Sequence, residues 1–226
     1  MGIAPVLPYV HRALSPLFPG CLWQGNRDRK EIALTFDDGP HPDYTLPLLE
    51  VLAEYQVTAS FFWLGVCVER APQMAQAVYE QGHWLGLHGY THRSFPRMNR
   101  DELLTSLEKT KDAIATTCGL HPPTLRDVRP PNGLFTPQTL SMLQTEGYRP
   151  VMWSVVPVDW VCPGVEVVAQ RVLQQTCNGS IVVLHDGVCG GQEVAQSTRR
   201  FLSHLLEQGY RFVSIDELWT HSLNVL

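Results

Sequence analysis

The chain has 226 residues, long for one average domain and short for two, a length that barrel-like α/β folds take as one unit. An apolar fraction of 44% with 17% charged residues allows a sizeable core and excludes a disordered chain. The net charge of −5 is mild and the 17 Lys and Arg are scattered, so no nucleic-acid footprint is present and no nucleic-acid partner is expected.

The opening stretch, "MGIAPVLPYVHRALSPLFPGCLW", is apolar, but four prolines break it and no Lys or Arg precedes Arg12. A secretory signal needs a charged segment followed by an unbroken apolar one, and a membrane span needs more still, so neither is expected. Residues 1–30 are expected to form an extension packed on, or leading into, a domain over residues 31–220. Strands are expected at Ile32–Phe36, Ala59–Leu64, Trp84–Leu87, Leu125–Arg129, Pro150–Val155, Ser180–Leu184 and Phe212–Ile215, with six helices between them.

A unit of amphipathic helix, glycine and short apolar strand recurs as "MAQAVYEQGHWLGLH", "LSMLQTEGYRPVMWSV" and "FLSHLLEQGYRFVSI". Gly82, Gly147 and Gly209 stand where a left-handed residue ends each helix. Between these units, Asn99 and Glu102 have capping-box spacing, and Leu103, Leu107, Ile114 and Cys118 form the apolar face that follows. Thr136 before Pro137 marks another helix start. The alternation predicts one domain of parallel strands joined by helices, a closed or partly closed barrel. The six cysteines are widely spaced without a C-x-x-C, which reads as buried or inert thiols rather than a zinc knuckle.

The polar residues that punctuate this pattern fall just past strand C-termini, the end at which parallel α/β folds build their sites. Asp37 and Asp38 end the first strand, His88 and His92 follow the third, Arg129 the fourth, Asp159 the fifth and His185 the sixth. Consecutive strand residues point to opposite sides, so Asp37 and Asp38 cannot share one chelating position without a sharp bend, and two separate jobs are expected. An Asp pair before Gly-Pro also reads as a simple capping turn. In "HGYTH", His88 and His92 lie four apart and can converge on one metal. The zinc-peptidase pattern requires Glu after the first His, where this chain has Gly89. Two His and one carboxylate, with positions left for water, describe a catalytic metal site rather than a structural one.

Taken in order, "TFDDGP", "HGYTH", "RPPNG", "DW" and "IVVLHD" resemble the five motifs of NodB-type polysaccharide deacetylases, the family-four carbohydrate esterases, over about residues 31–216. "FFWLG" and "GHWLGLHGYTHRSF" resemble the family's usual context. The resemblance implies a distorted (β/α) barrel and metal-dependent removal of acetyl groups from N-acetylated glycans of chitin or peptidoglycan type. It implies one divalent ion, zinc first, with cobalt, nickel or manganese as alternatives. By matching position, Asp37 would be the general base, and Asp38, His88 and His92 the metal ligands. Arg129 would orient Asp37, His185 would be the general acid, and Asp159 would pair with His185. Trp160 and Leu184 would line the pocket for the acetyl methyl, and Asn132 would offer a backbone N–H to the oxyanion.

Two positions depart from the family pattern. Asn132 stands where "RPPYG" has tyrosine, which removes an aromatic wall and keeps the backbone donor, and Val156 replaces the first Asp of "DxxDW" while Asp159 and Trp160 remain. Competing readings are a related barrel enzyme that hydrolyses small amides, cyclic ureides or O-acetyl xylan, and a non-catalytic glycan-binding module. Intact His88 and His92 disfavour a metal-independent branch, and a pure binder has no need of Asp37, Arg129 and His185. A glycan substrate would suggest the cell envelope or an extracytoplasmic location. Cys162 and Cys189 follow site residues on successive loops, so they are expected on one rim, where a bridge requires Cα atoms within about 7 Å. A reducing compartment would leave them as thiols.

Overall fold

In the computed structural model, which describes residues 13–223, seven strands form one parallel sheet that curls into a half-barrel. They are β1 (Glu31–Asp37), β2 (Ser60–Trp63), β3 (Trp84–Leu87), β4 (Asp127–Val128), β5 (Arg149–Pro150), β6 (Ile181–His185) and β7 (Arg211–Phe212). The order across the sheet is β5-β4-β3-β2-β1-β6, with β7 paired to the start of β1. β1 is buried along its whole length because it lies between two apolar layers. Ile32, Leu34 and Phe36 face outward onto Leu48 and Leu52 of α1 (Thr45–Glu54) and Leu202 and Leu205 of α7 (Gly191–Glu207). Ala33 faces the barrel interior with Phe62 and Ile181, and alternation puts Thr35 and Asp37 on that same inner side.

The connection from β2 to β3 holds two helices, α2 (Gly65–Arg70) and α3 (Pro72–Glu80), so seven helices rather than six intervene between strands among the described residues. Pro72 causes the division: it has no N–H to continue the ladder, and it pushes Ala71 out of helical geometry, to φ −133° and ψ 57°. The others are α4 (Arg100–Cys118), α5 (Pro137–Thr145), α6 (Val165–Gln175) and, after β7, α8 (Ile215–Leu223). Asn99 and Glu102 close the expected capping box on α4, and Thr136 caps α5 through the Thr139 amide. Gly82, Gly147 and Gly209 all take left-handed φ, of 79°, 81° and 81°.

The barrel is distorted at the fifth strand, expected over Pro150–Val155 and found only as Arg149–Pro150. Only Arg149 and Pro150 pair with β4; from Val151 the chain makes single bridges, Val151 to Leu22 and Val155 to Val182 of β6. Met152 gives its N–H to Leu22, and Ser154 and Val155 both donate to the Ile181 carbonyl, so no regular ladder continues. The buried segment Cys21–Trp23 therefore packs on the barrel beside Val151, and Gly25 bonds to Gly179. Residues 1–12 of the expected extension lie outside the described residues. Among the described residues, no helix is long and apolar enough to cross a membrane.

Candidate active site

Asp37 is the last residue of β1 and points into the barrel mouth, 2% exposed. Arg129, fully buried just past β4, donates from Nη1 to Asp37 Oδ1 at 2.6 Å and to Thr35 Oγ1 at 2.7 Å, and from Nη2 to the Met152 carbonyl at 3.0 Å. Its guanidinium lies 4.1 Å from the centre of the Phe62 ring. A buried guanidinium needs its charge paired and most of its donors used. Here both Nη atoms are engaged while Nε is buried without a partner, and the irregular chain after β5 is what frees the Met152 carbonyl for Nη2.

The sharp bend between the two carboxylates occurs at Asp38, whose φ of 72° places it in the left-handed region. Aspartate enters that region more readily than most residues. Asp38 Oδ1 thereby comes within 3.4 Å of Nε2 of both His88 and His92. It is buried and has no hydrogen-bond partner. The three donor atoms all lie within 4.8 Å of one another. His88 Nδ1 contacts the Arg129 carbonyl at 2.8 Å; a carbonyl can only accept, so Nδ1 carries the hydrogen and Nε2 presents its lone pair towards Asp38. Burial lowers His88 from 6.5 to about 3, which keeps the ring neutral, the state a metal ligand needs. A buried carboxylate oxygen facing a neutral imidazole lone pair is repulsive unless a cation lies between them, so this donor set fits a divalent ion.

On the other side of β1, β6 pairs in a register that sets His185 beside Asp37. His185 Nδ1 donates to Asp159 Oδ1 at 2.9 Å and its backbone N–H to Asp159 Oδ2 at 2.7 Å, so the carboxylate grips both the ring and the main chain. Burial disfavours the charged ring, but the charge and hydrogen bond of Asp159 outweigh it and raise His185 from 6.5 to about 9. The Trp160 ring stands edge-on to His185 at 5.3 Å and is 36% exposed.

The remaining expected site residues are placed differently. Leu184 is fully buried in the outer cluster with Leu34 and Phe36, on the face of β6 opposite His185, and does not reach the site. Val183 shares the His185 face and packs with Val156, Val158 and Trp153. Asn132 is exposed, has a φ of 57°, and donates from Nδ2 to Ser94 Oγ at 3.2 Å across to the loop that carries the histidines. All six cysteines are unpaired; Cys162 Sγ donates to Gln192 Oε1 at 3.1 Å rather than bonding Cys189. Sequence reasoning gave no role to Thr35, the Met152 carbonyl or Asp186. Thr35 was visible two residues before Asp37, on the same face, and Asp186 directly after His185, whereas no residue type signals which carbonyl an arginine will find.

Comparison with known proteins supports the same assignment of fold. A family model described as polysaccharide deacetylase matches residues 24–151. A peptidoglycan-N-acetylglucosamine deacetylase of Bacillus cereus is 34% identical over 87% of this chain and 91% of its own. A chitooligosaccharide deacetylase of Sinorhizobium fredii is 35% identical over 75% of this chain and 78% of its own. The solved structure of PdaA of Bacillus subtilis, a family 4 carbohydrate esterase, superposes with a TM-score of 0.83 at 29% identity, covering 92% of this chain and 88% of that one.

Proposed function

This chain belongs to the polysaccharide deacetylase family, and we propose that it hydrolyses the acetamide of N-acetylglucosamine units in a chitin- or peptidoglycan-type glycan, with zinc held by Asp38, His88 and His92. The observation that carries this reading is Asp38 Oδ1, buried without a partner and 3.4 Å from two imidazole nitrogens. The names of the two similar deacetylases, one of peptidoglycan N-acetylglucosamine and one of chitooligosaccharides, support the glycan class. We assign the deacetylase domain to residues 31–220.

When bound, the ion polarises the acetamide carbonyl and makes water at the site more acidic. Asp37 is kept off the donor set by its Arg129 pair, so its carboxylate is the base that takes a proton from the attacking water. The Asn132 backbone N–H is the donor offered to the oxyanion. His185 must deliver a proton to the departing sugar nitrogen, which cannot leave as an amide anion. Its ring is charged at neutral pH through Asp159, and with Nδ1 engaged there the proton leaves from Nε2. Trp160 and Val183, rather than Leu184, bound the space for the acetyl methyl.

Incubating the zinc-loaded protein with N-acetylglucosamine oligomers, peptidoglycan and acetylated xylan, and measuring acetate and free amine, tests the reading. Acetate matched by new amine from the first two, lost on chelation and restored by zinc, is expected. Acetate from xylan alone, or from none of the three, would contradict it.

A further inference from the structure

Behind the Asp38 turn lies a buried carboxylate that the mechanism above does not use. The ends of β1 and β6 run side by side, and just past them the Asp186 N–H donates to the Asp37 carbonyl at 3.1 Å. The Asp186 side chain is fully buried. Its Oδ2 accepts from Thr45 Oγ1 at 2.7 Å, and Thr45 Oγ1 in turn accepts the His41 N–H at 2.8 Å, which closes the far end of the same turn onto α1. Its Oδ1 is buried without a partner. Both oxygens lie against Gly39: a Cβ there would stand 2.3 Å from each of them. The next residue, Gly187, is pressed against Asp38 itself, where a Cβ would fall 2.6 Å from Asp38 Cβ and 2.9 Å from its carbonyl oxygen.

We propose that Asp186 is a positioning residue for the candidate metal site, seating the Asp38–Gly39 turn from behind and, through Thr45, fixing it to the start of α1 so that Asp38 is held towards His88 and His92. The inference rests on the reading of those three residues as ligands. Two arguments support it. A buried carboxylate with one side-chain hydrogen bond is a poor stabiliser of a fold, and an apolar side chain of similar size would serve packing better. Asp38 also has a left-handed backbone, which costs an aspartate less than most residues but more than a glycine, so groups packed against the turn help to hold it. Asp186 and Gly187 are what is packed there.

Zinc affinity, read by competition with a chromophoric chelator, tests this in Asp186→Ala, Asp186→Asn, Thr45→Val and the Asp186→Ala/Thr45→Val double variant, with far-UV circular dichroism and melting of the zinc-free proteins in parallel. Residues that orient a ligand typically change metal affinity about 10–100-fold, and a loss of that order is expected for Asp186→Ala and Thr45→Val. The double variant should be no worse than the weaker single, because both act along one path. Asp186→Asn keeps the shape and an oxygen for Thr45 and should restore most of the affinity. A purely structural role would lower the melting temperature and leave zinc affinity as in the wild type, and that result in Asp186→Ala or Thr45→Val would overturn the proposal. Should Asp186→Ala fail to fold, Thr45→Val and Asp186→Asn carry the test alone. Wild-type protein that binds no zinc would overturn the ligand assignment itself, an outcome distinct from tight wild-type binding that the variants leave intact.

Discussion

Asp37 and Asp38 are adjacent in the chain and face different partners, the first an arginine and the second two histidines. Replacing Asp37 by Asn should therefore leave zinc content unchanged in elemental analysis while deacetylation falls by about 10²–10⁴-fold, the usual contribution of a general base. A matching loss of zinc would show that Asp37 is itself a ligand. His185 gives a second expectation at this scale. The group acts as an acid only while protonated, and Asp159 raises it to about 9, so activity should persist well above the ordinary histidine range before its alkaline limb. Asp159→Asn removes that negative charge, and the limb should move down towards 6.5. An alkaline limb that stays in place would mean that another group sets it.

Among the elements, α4 has the most fully determined start. Asn99 Oδ1 accepts the Glu102 N–H at 2.9 Å, and Glu102 Oε2 accepts the Asn99 N–H at 2.9 Å. Asn99→Ala should lower stability by about 1 kcal/mol, measured by urea denaturation, and an unchanged midpoint would deny the cap any weight. Such elements were legible in the sequence because their signals are local: a capping pair, a glycine at a helix end, an apolar run ended by aspartates. The candidate ligand set Asp38, His88 and His92 and the pairs Asp37–Arg129 and Asp159–His185 were legible in the order of five short motifs, and the fold brings each group together. What stayed hidden was set by contacts between distant segments. The strand expected over Pro150–Val155 shrinks to two residues because Leu22 takes the Met152 N–H and Arg129 takes its carbonyl. Leu184 was carried over by its place in the fifth motif, but it directly precedes His185 on β6, and strand alternation turns it to the opposite face.

Across the whole molecule, the site sits at one end of a core whose stability depends on pH through groups remote from it. His83, 7% exposed at the start of β3, accepts the Ala59 N–H on Nδ1, and burial lowers it from 6.5 to about 4. Between those two values the unfolded chain binds a proton that the folded chain refuses, so stability rises with pH through this window and is lost on acidification. The His83 contribution is of order 3 kcal/mol by pH 4. His83→Gln should lower stability at neutral pH yet flatten its fall between pH 6.5 and 4, as followed by chemical denaturation; an unaltered slope would assign the acid sensitivity elsewhere. On the proposed mechanism the chemistry is divided between two neighbouring strand ends, with the base Asp37 closing β1 and the acid His185 closing β6. The most direct test of that division compares Asp37→Asn and His185→Ala on an N-acetylglucosamine oligomer and on an activated aryl acetate, whose leaving group needs no proton. The account predicts that both variants fail on the oligomer and that the aryl acetate rescues much of the His185→Ala defect and little of the Asp37→Asn defect. Equal rescue of the two, or full amidase activity in either, would contradict it.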